Sequence, residues 1–187
     1  MAVREVLLYP HPALKAVAEP AVVASSAGSG HDMAVGDVAE TERAARDLLE
    51  TMVSFGHCVG LAATQLGDLT RIVAVDVTGH KKATTESGLL LLANPRVVEQ
   101  DGAEVAREGC LSIPHLTANV RRATSIAVEA DALELTDQGL RSTPRRVETE
   151  GFEARCLLHE IDHLDGVLFL DRVDSLTRDV FERKNYK

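Results

Sequence analysis

The first clear periodic pattern lies between Asp37 and Phe55, in the segment DVAETERAARDLLETMVSF. Apolar residues recur there at helical spacing, which predicts one apolar face along a helix. Asp37 is a suitable N-cap, and Gly56 follows as a stop signal. The pattern therefore predicts an amphipathic helix. Its expected apolar face carries Val38, Leu48, Leu49, Met52 and Val53.

Three short segments rich in branched apolar residues predict β-strands in the middle of the chain. They are RIVAVDV at 71–77, LLLLANP at 89–95 and SIAVEA at 125–130. The Asp101-Gly102 pair predicts a hairpin turn. The segment ASSAGSGHDMAVG at 24–36 is small, rich in Gly and Ser, and aperiodic, which predicts a flexible surface loop.

A second helix is predicted over about Thr149 to Leu164, with Gly166 as the stop signal. Near the C-terminal end, the charged segment 178–184 is typical of a short surface helix. Strands that cluster between helices, rather than alternating with them, favour the α+β fold class. The apolar residues that recur along the second helix are Leu157, Leu158, Ile161 and Leu164.

Length, charge and cysteine content limit the classes of protein to consider. The chain has 187 residues, 45% of them apolar, which suits a compact single domain over residues 1–187. A formal charge of -9 argues against direct DNA binding, because such surfaces use Lys and Arg. Without a run of 18 apolar residues or a signal-peptide pattern, no membrane contact is expected. Three cysteines do not suggest a disulfide scaffold, so we expect a cytoplasmic protein.

The strongest chemical signal is the segment HEIDH at 159–163, on the second predicted helix. Side chains four positions apart lie above one another on a helix, so His159 and His163 can bind one metal ion. Glu160 would lie beside that ion as an acid/base. A catalytic metal site usually has three protein ligands and one open position, so a third ligand must come from elsewhere.

The residues leave two candidates for this third ligand. Cys110, in EGCLS at 108–112, would supply a thiolate, although a lone cysteine is more often a buried small apolar residue. Glu182 lies 19 residues beyond His163, near the spacing of thermolysin-like metallopeptidases. Its charged surroundings are more typical of a solvated surface acid. Both alternatives stay open on spacing alone.

A third segment, CVGLAATQ at 58–65, contains small residues that let backbone approach a ligand closely, and the amide of Gln65. In their order, GLAATQ, EGCLS and HEIDH resemble the three motifs of the peptide deformylase family. The resemblance extends to VLLYPHPALKAVAEP at 6–20 and DGVLFLDRV at 165–173. It thus covers most of the chain apart from 24–36 and some predicted hairpins.

This resemblance implies a hydrolase that removes the N-formyl group from the N-terminal formylmethionine of newly made polypeptides and releases formate. It implies antiparallel β-sheets around a central helix that carries HEIDH. It also implies one divalent metal ion, iron(II) by family likeness, for which zinc, nickel or cobalt can substitute. Formylmethionyl peptides would be the substrates, and the ribosome near its exit tunnel a partner.

The resemblance also implies roles for individual residues. Glu160 would be the acid/base, and the Gln65 side chain and the Leu111 N–H would bind the oxyanion. Specificity for the methionine side chain requires an apolar pocket, which Val59, Leu157 and Phe152 would line, although each of the three could equally be a plain core residue. The metal ligands would be Cys110, His159 and His163, and further substrate contacts would come from Gly60 and Arg122.

Some residues depart from the family's pattern. Cys58 stands where glycine is usual and would narrow the cleft, and Leu158 stands where glutamine commonly precedes the His-Glu pair. These departures leave a non-catalytic metal-binding or ribosome-associated homologue as another alternative. Arg121 replaces the proline that commonly precedes the arginine matched by Arg122. Asp162 would either orient a metal ligand or form a surface salt bridge.

Overall fold

In a computed structural model, the chain is described at residues 3–23 and 37–183, so the predicted loop at 24–36 lies outside the described residues. The helices are α1 (Val38–Ser54), α2 (Gly151–Leu164) and α3 (Leu176–Asp179). The strands are β1 (Gly60–Ala62), β2 (Ile72–Val75), β3 (Leu90–Asp101), β4 (Glu104–Cys110), β5 (Ile113–Arg122), β6 (Ser125–Thr136), β7 (Gly139–Glu150) and β8 (Val180–Glu182).

These strands form two sheets. One has five strands in the order β1-β2-β3-β6-β7, and the other has three in the order β4-β5-β8. Every pairing within them is antiparallel. The α+β class expected from the sequence is therefore confirmed. No described helix is long and apolar enough to cross a membrane.

The five-stranded sheet is covered on both faces, which explains its continuous apolar strands. In β2, Ile72 and Ala74 belong to the core cluster that includes α1, whereas Val73 and Val75 belong to the cluster that includes α2. All four side chains are buried. A strand covered on both faces needs apolar residues at every position rather than at alternate ones. This is the physical reason for the unbroken run in RIVAVDV.

Helix α2 lies between the two sheets. Its residues Leu157, Ile161 and Leu164 pack into the core of the five-stranded sheet. Its polar side faces the three-stranded sheet, where Arg155 donates hydrogen bonds to backbone carbonyls of β4 and β5. The helix ends at Leu164 and is followed by Gly166, whose φ is 67° and where an added Cβ would lie 2.6 Å from the Lys15 carbonyl oxygen. The HEIDH segment is thus carried on a central helix, as expected.

The predicted helices occur with two corrections. Asp37 caps α1 as expected, but Val53 is 77% exposed, because the sheet covers a narrower stripe of α1 than the apolar pattern suggested. Helix α2 begins at Gly151 rather than near Thr149, because Thr149 is still paired with Ile126 at the end of β7.

The predicted strands also occur, whereas β1, β4, β5, β7 and β8 were not predicted. Strand β7 is an edge strand that exposes most of its polar residues and contains Pro144, which an edge tolerates. The Asp101-Gly102 hairpin is wrong, because β3 and β4 do not pair and this turn passes between the two sheets. The charged C-terminal helix is also wrong beyond α3, because 180–182 pairs with β5.

Two substitutions on α1 test this packing. We expect Leu48→Ala to lower the free energy of unfolding by about 2–5 kcal/mol, because Leu48 is fully buried. Val53→Ala on the same helix should change it by less than about 0.5 kcal/mol, because that side chain is exposed. Urea unfolding followed by circular dichroism measures both values. Equal losses in the two variants would contradict the described helix face.

Candidate active site

Three side chains from two elements converge on one point. Cys110 ends β4, and His159 and His163 lie one turn apart on α2. The potential ligand atoms all lie within 4.8 Å of one another, and His163 Nε2 is 3.2 Å from Cys110 Sγ. All three residues are buried. In the described part of the chain they form a group of one thiol and two imidazoles that suits a divalent metal ion.

Glu182, the competing third ligand, lies elsewhere. It is exposed on β8 and is paired with Leu116 of β5. It does not belong to the group of potential ligands that contains the two histidines. The geometry therefore favours Cys110 over Glu182 and gives no support to a thermolysin-like site.

Glu108 is a site residue that the sequence analysis quoted but to which it gave no role. Its carboxylate lies 2.9 Å from His159 Nδ1, and it accepts hydrogen bonds from Arg122 and Arg155. Burial acts to raise the pKa of Glu108, but the hydrogen bonds from His159 and Arg122 hold it at about 2. An ionised carboxylate only accepts, so Nδ1 of His159 carries the proton and Nε2 is left for a metal. The available signal was the strand period of two, which places Glu108 on the face of Cys110.

Arg122 and Asp162 support Glu108 from beneath the site. Arg122 donates to Glu108 at 2.7 and 3.0 Å and to Asp162 at 2.8 Å. Its side chain is 4% exposed and lies off the cleft wall, so the structure does not place it where a substrate would bind. Asp162 is 8% exposed and also accepts from Arg172, so the surface salt bridge considered for it is wrong. The two residues act on His159 through Glu108.

Glu160 is buried, and its Oε2 has no hydrogen-bond partner among the described residues. Gly60 packs directly against it, since an added Cβ would lie 2.7 Å from Glu160 Oε1. Burial raises the pKa of Glu160 to about 7, against the opposing charges of His159 and Arg122. An unpaired buried carboxylate oxygen is costly in a purely structural role. The arrangement suits a group that exchanges a proton or binds a ligand.

Gln65 is fixed by its own neighbours. Its Oε1 accepts from the Ala62 N–H at 2.9 Å, so its Nε2 points to Ser112 Oγ at 3.1 Å and Cys110 Sγ at 3.4 Å. The side chain is 2% exposed. A donor held in this way is preorganised for an oxygen that gains negative charge. Leu111 follows Cys110 in the turn between β4 and β5 and also lines the cleft.

A cleft of about 500 Å³ opens over these residues. Its floor includes Gln65, Cys110, His159 and Glu160, and its apolar wall includes Phe55, Val59, Leu111 and Phe152. Gly60 also lies on the wall, where both it and Val59 were expected. Leu157, considered for this wall, is instead fully buried in the core.

Two of the departures from the family's pattern, Cys58 and Leu158, have distinct surroundings. Cys58 lines the cleft and donates from Sγ to the Gly60 carbonyl at 3.0 Å. Burial and the nearby Glu160 charge raise the pKa of Cys58 to about 12, so its thiol stays neutral. Leu158 is half-buried and packs against the core of the five-stranded sheet. Neither residue replaces a member of the metal-binding group.

Comparisons with known proteins agree with this geometry. The family model described as polypeptide deformylase matches residues 3–179. A peptide deformylase of Alkalilimnicola ehrlichii is 37% identical over 184 residues, covering 98% of this chain and 89% of that protein. The crystal structure of a peptide deformylase from Legionella pneumophila has a TM-score of 0.71 at 32% identity, covering 95% of this chain and 89% of that one. The crystal structure of a peptide deformylase from Thermus thermophilus has a TM-score of 0.70 at 35% identity, covering 92% of this chain and 86% of that one.

One prediction separates the two candidate ligands. We expect Cys110→Ala to lose bound metal, because the thiolate is removed, whereas Glu182→Ala keeps one equivalent. Metal content after gel filtration, measured by plasma mass spectrometry with circular dichroism as a check on folding, decides between them. Full metal binding in a folded Cys110→Ala protein would contradict the assignment.

A second prediction concerns Glu108. Glu108→Gln should weaken metal binding by about 10-fold to 100-fold, because the neutral amide no longer fixes the His159 tautomer as strongly. Glu104→Gln on the same strand is the matched control, since that side chain is 64% exposed. Competition with a chelator of known affinity measures both variants. An unchanged affinity in Glu108→Gln would show that the hydrogen bond does not support the ligand.

Proposed function

The chain belongs to the polypeptide deformylase family, whose reaction is the hydrolytic removal of the N-formyl group from new polypeptides, and we propose how its own residues perform it. It is accordingly a hydrolase. The substrates that we propose begin with formylmethionine. The observation that carries the proposal is the convergence of one thiol, two imidazoles and one unpaired carboxylate oxygen beneath a single cleft.

Cys110, His159 and His163 are proposed to hold one divalent metal ion. Iron(II) is the proposed native metal on the basis of family likeness, and zinc, nickel and cobalt suit the same donors. When bound, such an ion would lower the pKa of a water molecule and polarise the formyl carbonyl. The protein's own part is to present the Cys110 sulfur and the Nε2 atoms of both histidines to such an ion, which would hold the coordinated thiol deprotonated.

The cleft would orient the formylmethionyl end of the substrate. The methionine side chain is apolar, which matches the wall formed by Phe55, Val59, Leu111 and Phe152. Phe152 is fixed by stacking on His80, with ring centroids 4.3 Å apart. Gly60 lets the cleft wall pack directly against Glu160, since an added Cβ would lie 2.7 Å from Glu160 Oε1. The formyl group would then lie on the floor, among the potential metal ligands.

Glu160 is the proposed acid/base. Water adds to the formyl carbon, and Glu160 accepts the proton that this water loses. Glu160 then delivers that proton to the amine nitrogen as the carbon–nitrogen bond breaks, because an unprotonated amide nitrogen is a poor leaving group. Formate and a free N-terminus result. During this step the Gln65 Nε2–H and the Leu111 N–H donate to the formyl oxygen as it gains charge.

The setting of the reaction is a further part of the proposal. A thiolate ligand requires a reduced cysteine, which supports a cytoplasmic enzyme. The ribosome near its exit tunnel is the proposed partner because the substrates emerge there, and Arg178 and Arg183 lie close to the C-terminal end. We further propose that residues 1–187 act as one catalytic domain, which is supported by the family match over 3–179.

Formate release from a formyl-Met-Ala-Ser peptide tests the function. The protein is prepared without oxygen, because a thiolate-bound iron site is sensitive to oxidation. We expect turnover after loading with iron(II) and its loss with a chelator. Glu160→Gln should keep the metal and lose about 10²-fold to 10⁴-fold in kcat, because the proton carrier is removed.

Glu182→Gln serves as the control for Glu160→Gln, since its carboxylate is exposed and far from the ligand group. It should retain activity. A folded wild-type protein that binds one metal ion and releases no formate would contradict the proposed function. It would instead support a non-catalytic metal-binding role.

A further inference from the structure

Two arginines lie on the rim of the cleft. Arg107 and Arg183 both line the cleft and are exposed. Neither forms an ion pair with a carboxylate of the residues that the structure describes. Arg155 also lines the cleft, but its charge is paired with Glu108 at 2.8 Å. In a chain with a formal charge of -9, this rim is a local region of the opposite sign.

Neutral groups hold Arg107 in position. Its guanidinium carbon lies 3.6 Å from the centre of the Phe181 ring. It donates to Asn119 Oδ1 at 3.1 Å and to Thr117 Oγ1 at 3.2 Å. These contacts orient the side chain without neutralising it. Arg107 is therefore a fixed cation at the cleft entrance.

Arg183 is placed next to the metal-binding segment. Its guanidinium packs against Gly109, the residue before Cys110, so closely that an added Cβ would clash with Nη2. Its backbone N–H bonds to the His115 carbonyl at 2.8 Å, which fixes the chain after β8. A side chain at position 109 would thus displace this cation from the rim.

The acidic residues that line the cleft do not neutralise the positive charge of the two rim arginines. Glu108 and Glu160 are both buried on the floor, and Glu108 is already surrounded by His159, Arg122 and Arg155. The floor accommodates the formyl group, whereas the rim is available to residues that follow the methionine. Across the cleft, Lys82 Nζ lies 5.7 Å from the centre of the Phe152 ring, which places a further positive charge on that side.

The position of Arg107 along β4 sets the part of a substrate that it meets. It precedes Cys110 by three residues, which is about 10 Å along a strand. An extended peptide covers a similar distance in about three residues. The side chain of the second or third substrate residue would therefore lie beside the rim arginines.

We propose that Arg107 and Arg183 select substrates with an acidic side chain at the second or third residue after the formyl group. The inference rests on the proposed function, because it requires the formyl group to be cleaved in this cleft. One exposed ion pair changes binding by about 1.4-fold to fivefold. Two cations together should give about a twofold to 25-fold preference at low salt.

The test compares kcat/KM for blocked peptides. The set consists of formyl-Met-Ala-Ala amide and its forms with Asp or Lys at the second or third residue, so that no terminal carboxylate contributes. At one or both positions, we expect kcat/KM to be highest with Asp, intermediate with Ala and lowest with Lys. The preference should fall toward unity at 1 M salt, where the Debye length is about 3 Å.

Variants locate the preference. Arg107→Gln and Arg183→Gln should each lower the Asp/Ala ratio, and Arg107→Glu should favour the Lys peptide. Arg145→Gln is the matched control, because Arg145 is exposed on β7 and does not line the cleft. A ratio measured within one variant does not depend on the fraction of protein loaded with metal. A change in folding or metal content alone therefore leaves it unaltered.

The outcomes are distinguishable from failure of the proposed function. Turnover of the Ala peptide tests the function, and the ratios test the inference. Equal kcat/KM for the Asp, Ala and Lys peptides would overturn the inference while the function stands. If those ratios are flat and Arg107→Gln weakens binding to isolated ribosomes, the rim binds nucleic-acid phosphate instead and the inference is wrong.

Discussion

An ionised carboxylate in a protein interior is costly unless several donors surround it, and Glu108 is buried among His159, Arg122 and Arg155. This requirement joins the parts of the molecule. Glu108 comes from β4, Arg122 from β5, and Arg155 and His159 from α2. The helix must therefore lie against the three-stranded sheet with its polar side, while its apolar side packs on the five-stranded sheet. The arrangement that satisfies the buried charge also brings Cys110 to the two histidines.

Glu108 on the floor of the cleft is paired with positively charged groups, whereas the arginines at its entrance are not paired with any carboxylate of the described residues. On the floor, Glu108 is paired with His159 and two arginines, and Gln65 is held by the Ala62 N–H, whereas Glu160 keeps one carboxylate oxygen without a partner among the described residues. At the rim, Arg107 and Arg183 are oriented by an aromatic ring, neutral acceptors and backbone. The first arrangement serves the bond that is broken, which is common to all substrates. The rim arginines would contact the side chains that follow the methionine, which differ between substrates.

Local patterns predicted some of this molecule and missed other parts for identifiable reasons. The spacing of His159 and His163 and the buried run at 71–77 follow from helical periodicity and from a sheet covered on both faces. Strands such as β7 were missed because an edge strand has a polar composition. The choice between Cys110 and Glu182 depends on which strand pairs where, and spacing along the chain does not contain that information. Arg122 was expected at the substrate, but its side chain is buried and bonds to Glu108 and Asp162. A motif match does not show the face of the strand on which a side chain lies.

We propose that one sulfur and two nitrogens of this chain hold the metal ion, and the rest of the proposed reaction depends on this ligand set. X-ray absorption at the metal edge of zinc-loaded protein measures the ligand shell directly and does not depend on turnover. We expect one sulfur at about 2.3 Å and two imidazole nitrogens at about 2.0–2.1 Å, with the sulfur absent in a Cys110→Ala protein. A shell of nitrogen and oxygen without sulfur in the wild-type protein would contradict it.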